Sequence, residues 1–281
     1  MFDGRPQSLF DACVDKINQR AFFNAYRKTF SVVLADTDEL RKKVFRLRHR
    51  VYCVENLYIN PRSFPDELER DAFDERAWHW LMIHKETGES AGTLRLLMPD
   101  ADRPLVSFEL QKACDHPLLQ IENRVLGVCE ISRFCMAHEF RRRLLDGSLL
   151  PSYHDQEDGG KTQDDRKHIR LIPYAPLGLL GAAFDAAIEH GLHSCVMTIE
   201  PRQVESFKNL GLVAHTLGPS IILHGPQQPV ILNIKAVLDN MAQVNRACWD
   251  VLTDRGALQR RVDESFRKSW QDTAAGESRH P

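Results

Sequence analysis

The 281-residue chain is 43% hydrophobic and 27% charged, with a formal net charge of −2. That balance is ordinary for a globular protein and gives no global basic charge for nucleic-acid binding. The opening residues, Met1-Phe2-Asp3-Gly4-Arg5, lack the apolar core of a signal peptide, so none is expected, and the scattered cysteine pattern leads to the expectation of a cytoplasmic location.

Leu9, Phe10, Val14, Ile17, Phe22 and Tyr26 recur at helical spacing and predict a helix over 8–27, within an N-terminal segment 1–29. Phe30 to Ala35 is a short apolar run and reads as a strand. Asp36, with Glu39 three positions on, reads as the capped start of the next helix. Leu40, Val44, Leu47 and Val51 give that helix a core face, while Arg48, Tyr52 and Glu55 fall on a neighbouring face that can look into a site. Residues 56–76 are polar, contain Pro61 and Pro65, and read as a loop ending in the cluster Glu69-Arg70-Asp71-Ala72-Phe73-Asp74.

Trp78–His84 and Ser90–Met98 predict two strands of a hairpin around residues 85–89. Phe108–Cys114 reads as a short helix and Val125–Met136 as a central strand. Residues 138–172, charged and glycine-containing, are expected to form a mobile insertion. Leu171 to Ile188 is apolar enough to raise a membrane question, but Pro173, Pro176, Gly178, Gly181 and Asp185 favour a buried helix over Pro176–His190. Ser194–Ile199 predicts a strand, and Arg202–Leu210 a short helix closed by Gly211. Leu212–Leu217, Ile221–His224 and Val230–Ile234 are candidate strands. Within 236–270 one helix is expected over Ala236–Trp249 and another over Ala257–Trp270, with a disordered tail over 271–281. The order predicts one α/β domain over 30–235, a mixed sheet with helices on both faces.

The seven cysteines, at 13, 53, 114, 129, 135, 195 and 248, form no Cys-x-x-Cys pair, which predicts reduced thiols and no zinc site. The histidines form no paired motif beside a carboxylate. No metal and no cofactor are expected.

The sharpest signal is Glu130-Ile131-Ser132-Arg133-Phe134, in an otherwise apolar strand. A carboxylate and a guanidinium there must be paired, hydrogen-bonded or functional, because an unpaired buried charge costs several kcal/mol. Arg95 lies inside the apolar run Gly92-Thr93-Leu94-Arg95-Leu96-Leu97. With the acidic cluster at 69–74, these charges predict one polar pocket.

In these residues the chain resembles the acyl-homoserine-lactone (autoinducer) synthase family of the GNAT superfamily. The resemblance rests on Arg48 and Tyr52 on the first core helix and on Glu69, Asp71, Phe73 and Asp74 in the acidic cluster. It also rests on Gly92, Arg95, Leu96 and Leu97 in the hairpin and on Glu130 to Phe134. It is best over 38–137 and reaches about residue 234, and it implies a GNAT-like mixed sheet flanked by helices. The chain departs from the family at Leu57-Tyr58, where tryptophan is usual, and at Met98-Pro99, where Pro-Thr is usual. These departures bring it nearer a sister group, the acyltransferases associated with PEP-CTERM/exosortase gene systems and the N-acyl amino acid synthases. For that group the resemblance implies transfer of a fatty acyl chain from acyl carrier protein to an amine, expected to belong to an amino acid. The alternatives are an acyl-homoserine-lactone synthase using S-adenosylmethionine and a non-catalytic GNAT-like domain that binds an acyl group or a partner protein.

Amine acylation by a thioester needs a base, a positioned carbonyl, donors for the oxyanion and a leaving thiolate, and no enzyme nucleophile. Glu130 is the candidate base, against the alternative of orienting a loop through an arginine. Arg133 is the second catalytic candidate. Its odd spacing from Glu130 requires either a bulge or separate jobs, and an ion pair with the acidic loop is the favoured one. Asp71 and Asp74 can bind the acceptor's amine or brace their loop. Arg95 can bind an acceptor carboxylate or close an ion-pair network, and the two are compatible. Arg48 and Tyr52 can shape the acceptor end or pack under the loop, and Ser132 and Phe134 complete the expected substrate-binding set. The glycine-rich pyrophosphate loop of coenzyme A-dependent GNAT enzymes has no match after the central strand, which favours acyl carrier protein as donor. Arg141, Arg142 and Arg143 can dock that acidic partner or form a solvated basic face. Cys135 admits an acyl-enzyme as a minor alternative.

Overall fold

In the computed structural model the backbone is described for residues 9–141 and 174–277, and side chains for 19–140 and 174–268. The first helix, α1 (Leu9–Thr29), runs into the edge strand β1 (Phe30–Leu34). Helix α2 (Asp38–His49) follows. Its cap is Thr37, whose hydroxyl accepts from the Leu40 N–H at 3.3 Å, and not Asp36 as its spacing to Glu39 suggested. After His49 the helix widens into a looser turn over Arg50–Glu55.

Strands β2 (Trp78–His84) and β3 (Ser90–Leu97) form the expected hairpin, and β4 (Cys129–Met136) pairs with β3. The strand prediction from Val125 began early: Glu122–Val125 is a short helical turn. The expected helix at 108–114 is one tight turn, Leu110–Lys112.

Helix α3 (Pro176–Glu189) is buried along most of its length, so its apolar residues meet core and not lipid. A Cβ on Gly181 would collide with the Leu252 carbonyl, which is why this helix can approach α6 so closely (α6 being Arg246–Leu252). Strand β5 (Ser194–Ile199) and helix α4 (Val204–Asn209) come next. Short strands β6 (His215–Thr216) and β7 (Ile221–Ile222) then lead to β8 (Pro226–Asn233). The C-terminal helices are α5 (Ile234–Val244), α6 and α7 (Ala257–Glu277). One helix was expected where α5 and α6 stand. Asn245 divides them, its side chain capping α6 through the Cys248 N–H.

Helix α7 also overruns the tail expected to be disordered from 271, because helix-favouring residues such as Ala274, Ala275 and Glu277 carry it on. Residues 142–172, most of the expected insertion, lie outside the described residues. No helix among the described residues is long and apolar enough to cross a membrane.

The sheet order is β1-β2-β3-β4-β5-β8-β6, with β7 also on β8. Among these pairings only β4–β5 is parallel. One core cluster covers the face of Leu94, Leu96, Cys129 and Ile131, packed under α1 and α3. A smaller cluster on the other face holds Leu97, Phe108, Leu110 and Val196.

Two features of β4 place the site. From Thr93 to Arg95 on β3 the register advances two residues, while from Cys135 to Ser132 on β4 it spans three. The additional residue is a β-bulge, and Arg133 within it takes a left-handed φ of 49°. On the other side, β4 pairs with β5 only over Cys129↔Cys195, Glu130↔Val196 and Ile131↔Met197. Beyond those pairs the two parallel strands part, and a cavity opens between them.

Candidate active site

The cavity has a volume of about 170 Å³. One wall is β4 from Glu130 to Met136, and the facing wall is β5 and its extension, Met197 to Glu200. Its apolar lining comes from α3, α4 and the chain after α4, including Leu177, Leu180, Phe207, Leu210 and Leu212, and its polar lining includes Tyr52, Glu109, Ser132, Arg133 and His224.

Glu130 sits on the face of the smaller core cluster, flanked in register by Leu97 and Val196. It is 2% exposed. Its Oε2 accepts from the Leu110 N–H at 3.0 Å, while Oε1 is buried without a hydrogen-bond partner. Burial pushes the Glu130 carboxyl up from the usual carboxylate range, against the opposing pull of the Leu110 N–H and the Arg95 charge. A carboxylate in that state is a better base than a solvated one.

Behind the cavity wall lies an ion-pair network. Arg48 donates from Nε to Glu69 and from both Nη atoms to Asp74, at 2.8 and 3.0 Å. Arg95 donates to Ser132 Oγ at 2.9 Å, to Asp71 at 2.7 Å, to Asp74 at 3.0 Å and to Glu109 at 3.5 Å. Arg133 donates to Glu69 at 3.1 Å, Glu109 at 2.6 Å and Asp71 at 2.9 Å. Asp71 and Asp74 also cap their own turn, with Phe73 N–H on Asp71 and Asp71 N–H on Asp74.

Burial works against charge on Asp74, but Arg48 and Arg95 hold its carboxyl well below the usual range. Glu69 is likewise held down by Arg48 and Arg133 against burial. For Glu109, burial is overcome by the His224 hydrogen bond and by Arg133, which hold it far below the usual range. At the edge, burial pushes His79 down to about 4, although Asp74 lies 3.6 Å away. His79 is therefore neutral at physiological pH.

The expected site residues thus divide. Glu130, Ser132, Arg133, Phe134 and Tyr52 line the cavity. Arg48, Asp71, Asp74 and Arg95 do not appear in its wall. Arg48 and Arg95 are fully buried, with their guanidinium nitrogens already engaged, so the bracing and network-closing alternatives describe their geometry. Glu130 and Arg133 are not paired with each other. The bulge is present, and it turns Arg133 toward the acidic loop. Arg141 is the last residue of a short turn, His138–Arg141, and its side chain, with Arg142 and Arg143, lies outside the described residues.

Two residues of the site were missed from sequence. Glu109 joins Arg95 and Arg133 to the cavity, and His224 Nε2 lies 2.9 Å from its Oε1. The available signal for Glu109 was a lone charge between Phe108 and Leu110, both buried. Nothing local marked His224.

Cys135 lines the cavity, but burial pushes its thiol up to about 12, which leaves it protonated and a poor nucleophile. Among the described residues no group of side chains is arranged to hold a metal ion, and the six cysteines described are free and buried.

Residues 47–150 match the model of the acetyltransferase (GNAT) domain. The chain carries a GNAT domain. In overall fold it is similar to TofI, solved in a ternary complex with an inhibitor and MTA. The two share 18% identity with a TM-score of 0.51, and the match covers 78% of this chain and 99% of TofI. FeeM, an N-acyl amino acid synthase from uncultured soil microbes, matches at 14% identity and a TM-score of 0.47, over 77% of this chain and 97% of FeeM. BjaI, a CoA-dependent acyl-homoserine lactone synthase, matches at 16% identity and a TM-score of 0.45, over 80% of this chain and 88% of BjaI. No curated protein sequence matches this chain. The GNAT domain match takes in α2 from Leu47 onward, β2, β3 and β4, and so the whole ion-pair network and Glu130.

Proposed function

We propose that this GNAT protein is an N-acyltransferase that moves a fatty acyl chain from an acyl carrier protein thioester to the amine of a small acceptor, an amino acid by preference. The observation that carries the reading is one cavity with two chemistries. Its apolar lining, including Leu177, Leu180, Phe207, Leu210 and Leu212, suits a hydrocarbon chain. Its polar part places Glu130 beside the bulged backbone of β4.

The acceptor enters as an ammonium and must lose a proton to attack. Glu130, destabilised as an anion by burial, is suited to take a proton from the reacting nitrogen, directly or through water. Attack on the thioester carbonyl creates an oxyanion. Arg133 and Phe134 have no register partner on β3 or β5, which makes the backbone N–H groups of the bulge the candidate donors to that oxyanion. Collapse breaks the C–S bond, and the sulfur leaves with the proton that Glu130 returns. The ion-pair network fixes the bulge through Arg133, which keeps the donors and Glu130 in one geometry.

The test is direct. Purified protein is given acyl carrier protein, pantetheine and coenzyme A thioesters, each with the common amino acids or S-adenosylmethionine, and products are read by mass spectrometry. Acyl amino acids formed fastest from the carrier protein support the reading. An acyl-homoserine lactone would move the acceptor to S-adenosylmethionine, and no product from any pair would leave a binding domain.

A further inference from the structure

His224 occupies a position that the mechanism above does not use. It sits at the tip between β7 and β8, where the Leu223 N–H bonds the Gly225 carbonyl at 2.9 Å. Its φ of 52° is a left-handed conformation that a non-glycine residue holds only when its surroundings impose it. Gly225 packs on the Tyr58 ring so closely that a Cβ would lie 3.1 Å from it, which seats the tip on the cavity wall.

The ring lies in that wall, 26% exposed by side chain, with Nε2 2.9 Å from Glu109 Oε1. Glu109 is ionised and accepts, so Nε2 carries the hydrogen and Nδ1 is left as an acceptor. The network behind holds three guanidiniums (Arg48, Arg95, Arg133) against four carboxylates (Glu69, Asp71, Asp74, Glu109). The ring therefore stands at the edge of a network with one more carboxylate than guanidinium. The other charged and titratable groups that share its surroundings are Tyr52, with rings 6.4 Å apart, and Glu130, Arg133, Cys135, Tyr58 and Glu200 in the cavity wall.

We propose that His224, oriented by Glu109, is a second proton-transfer group, which takes the proton of the acceptor's ammonium while Glu130 serves the attacking nitrogen. The proposal rests on the acyl-transfer reading. Acylation removes two protons from nitrogen. His224 accepts the first and later passes it to solvent, and the neutral amine forms the C–N bond as the carbonyl opens to the oxyanion. Glu130 accepts the second proton. The C–S bond then breaks, and the departing sulfur takes that proton from Glu130. The products are an amide, a thiol and one proton.

The experiment measures kcat/KM against pH with octanoyl-pantetheine and the acceptor that gives product. His224→Gln keeps an N–H for Glu109 but cannot titrate. It should lower kcat/KM roughly 100-fold, as loss of a general base does, and change the acid limb of the profile, leaving only the part set by Glu130. His224→Ala should recover in added imidazole. Glu130→Gln gives a measure independent of any misfolding at 224, since its residual activity should retain the acid limb. An unchanged rate in His224→Gln, a fall with an unchanged profile and no imidazole rescue, or loss of the limb in Glu130→Gln each overturns the assignment. Wild-type protein that acylates no amine overturns the acyl-transfer reading and this assignment with it.

Discussion

Arg133 reaches Glu109 at 2.6 Å from a left-handed backbone conformation, so the tightest contact of the guanidinium depends on the bulge in β4. The same guanidinium holds Glu69 and Asp71. Strand geometry and network charge therefore support each other: the bulge aims the arginine, and the carboxylates keep the bulge.

Replacing Arg133 tests that relationship. Arg133→Lys keeps the charge but loses the planar fork that serves three carboxylates at once. Leaving buried carboxylates short of a partner costs about 3–5 kcal/mol. Urea denaturation should show a loss of that order, with activity falling further than stability explains because the bulge relaxes. A variant as stable as wild type would mean that the network does not hold the strand.

Glu130→Gln separates catalysis from folding. Turnover should fall by about 100-fold or more, the range expected for a general base. Stability should move the other way. Burial raises the folded-state pKa of Glu130 above its unfolded value, so the folded state binds its proton more tightly. The stability lost as pH rises from the unfolded value through the folded one should return in the glutamine variant. Melting temperatures at pH 5 and pH 8 should differ less in Glu130→Gln than in wild type, with the variant at least as stable at the higher pH.

The network carboxylates have the opposite sign. Asp74, Glu69 and Glu109 are held below their unfolded pKa values by arginines and, for Glu109, by His224. Their contribution is fully present above the unfolded values and is lost as pH falls through the folded ones. Wild-type stability should therefore decline from about pH 5 downward. Asp74→Asn should be less stable at pH 7 and should lose less on acidification. Parallel acid titrations of the two proteins would sink the assignment of Asp74 as an ionised network member.

Much of this was legible in the sequence for a physical reason. Charges inside apolar strands are rare, so Arg95, Glu130 and Arg133 announced a polar site, and the acidic cluster offered their partners. The odd spacing of Glu130 and Arg133 posed the bulge as one of two alternatives. What the sequence did not carry was depth. Nothing in the spacing of Arg48, Asp71, Asp74 and Arg95 says whether they face a cavity or stand behind its wall. Glu109 and His224, 115 residues apart, meet only because β8 returns beside β5 and carries the β7–β8 tip back over the site. The Thr37 cap and the break at Asn245 turn on which neighbouring polar side chain reaches a free N–H, which periodicity does not resolve.

The apolar part of the cavity supplies a test of the acyl site. Phe207, on α4, lines it while packing only partly into the main core. Its removal should enlarge the space with less damage than removal of fully buried Leu180, since the cost of a cavity grows with how completely the site is enclosed. Phe207→Ala should shift selectivity toward longer acyl thioesters, because a hydrophobic pocket gains roughly 1–3 kcal/mol per fitted methylene at most and has little other means of discrimination. Competition between octanoyl and palmitoyl thioesters, with product ratios read by mass spectrometry, measures the shift. A ratio unchanged from wild type, in a variant that still turns over, would place the hydrocarbon chain somewhere other than between α3, α4 and β5.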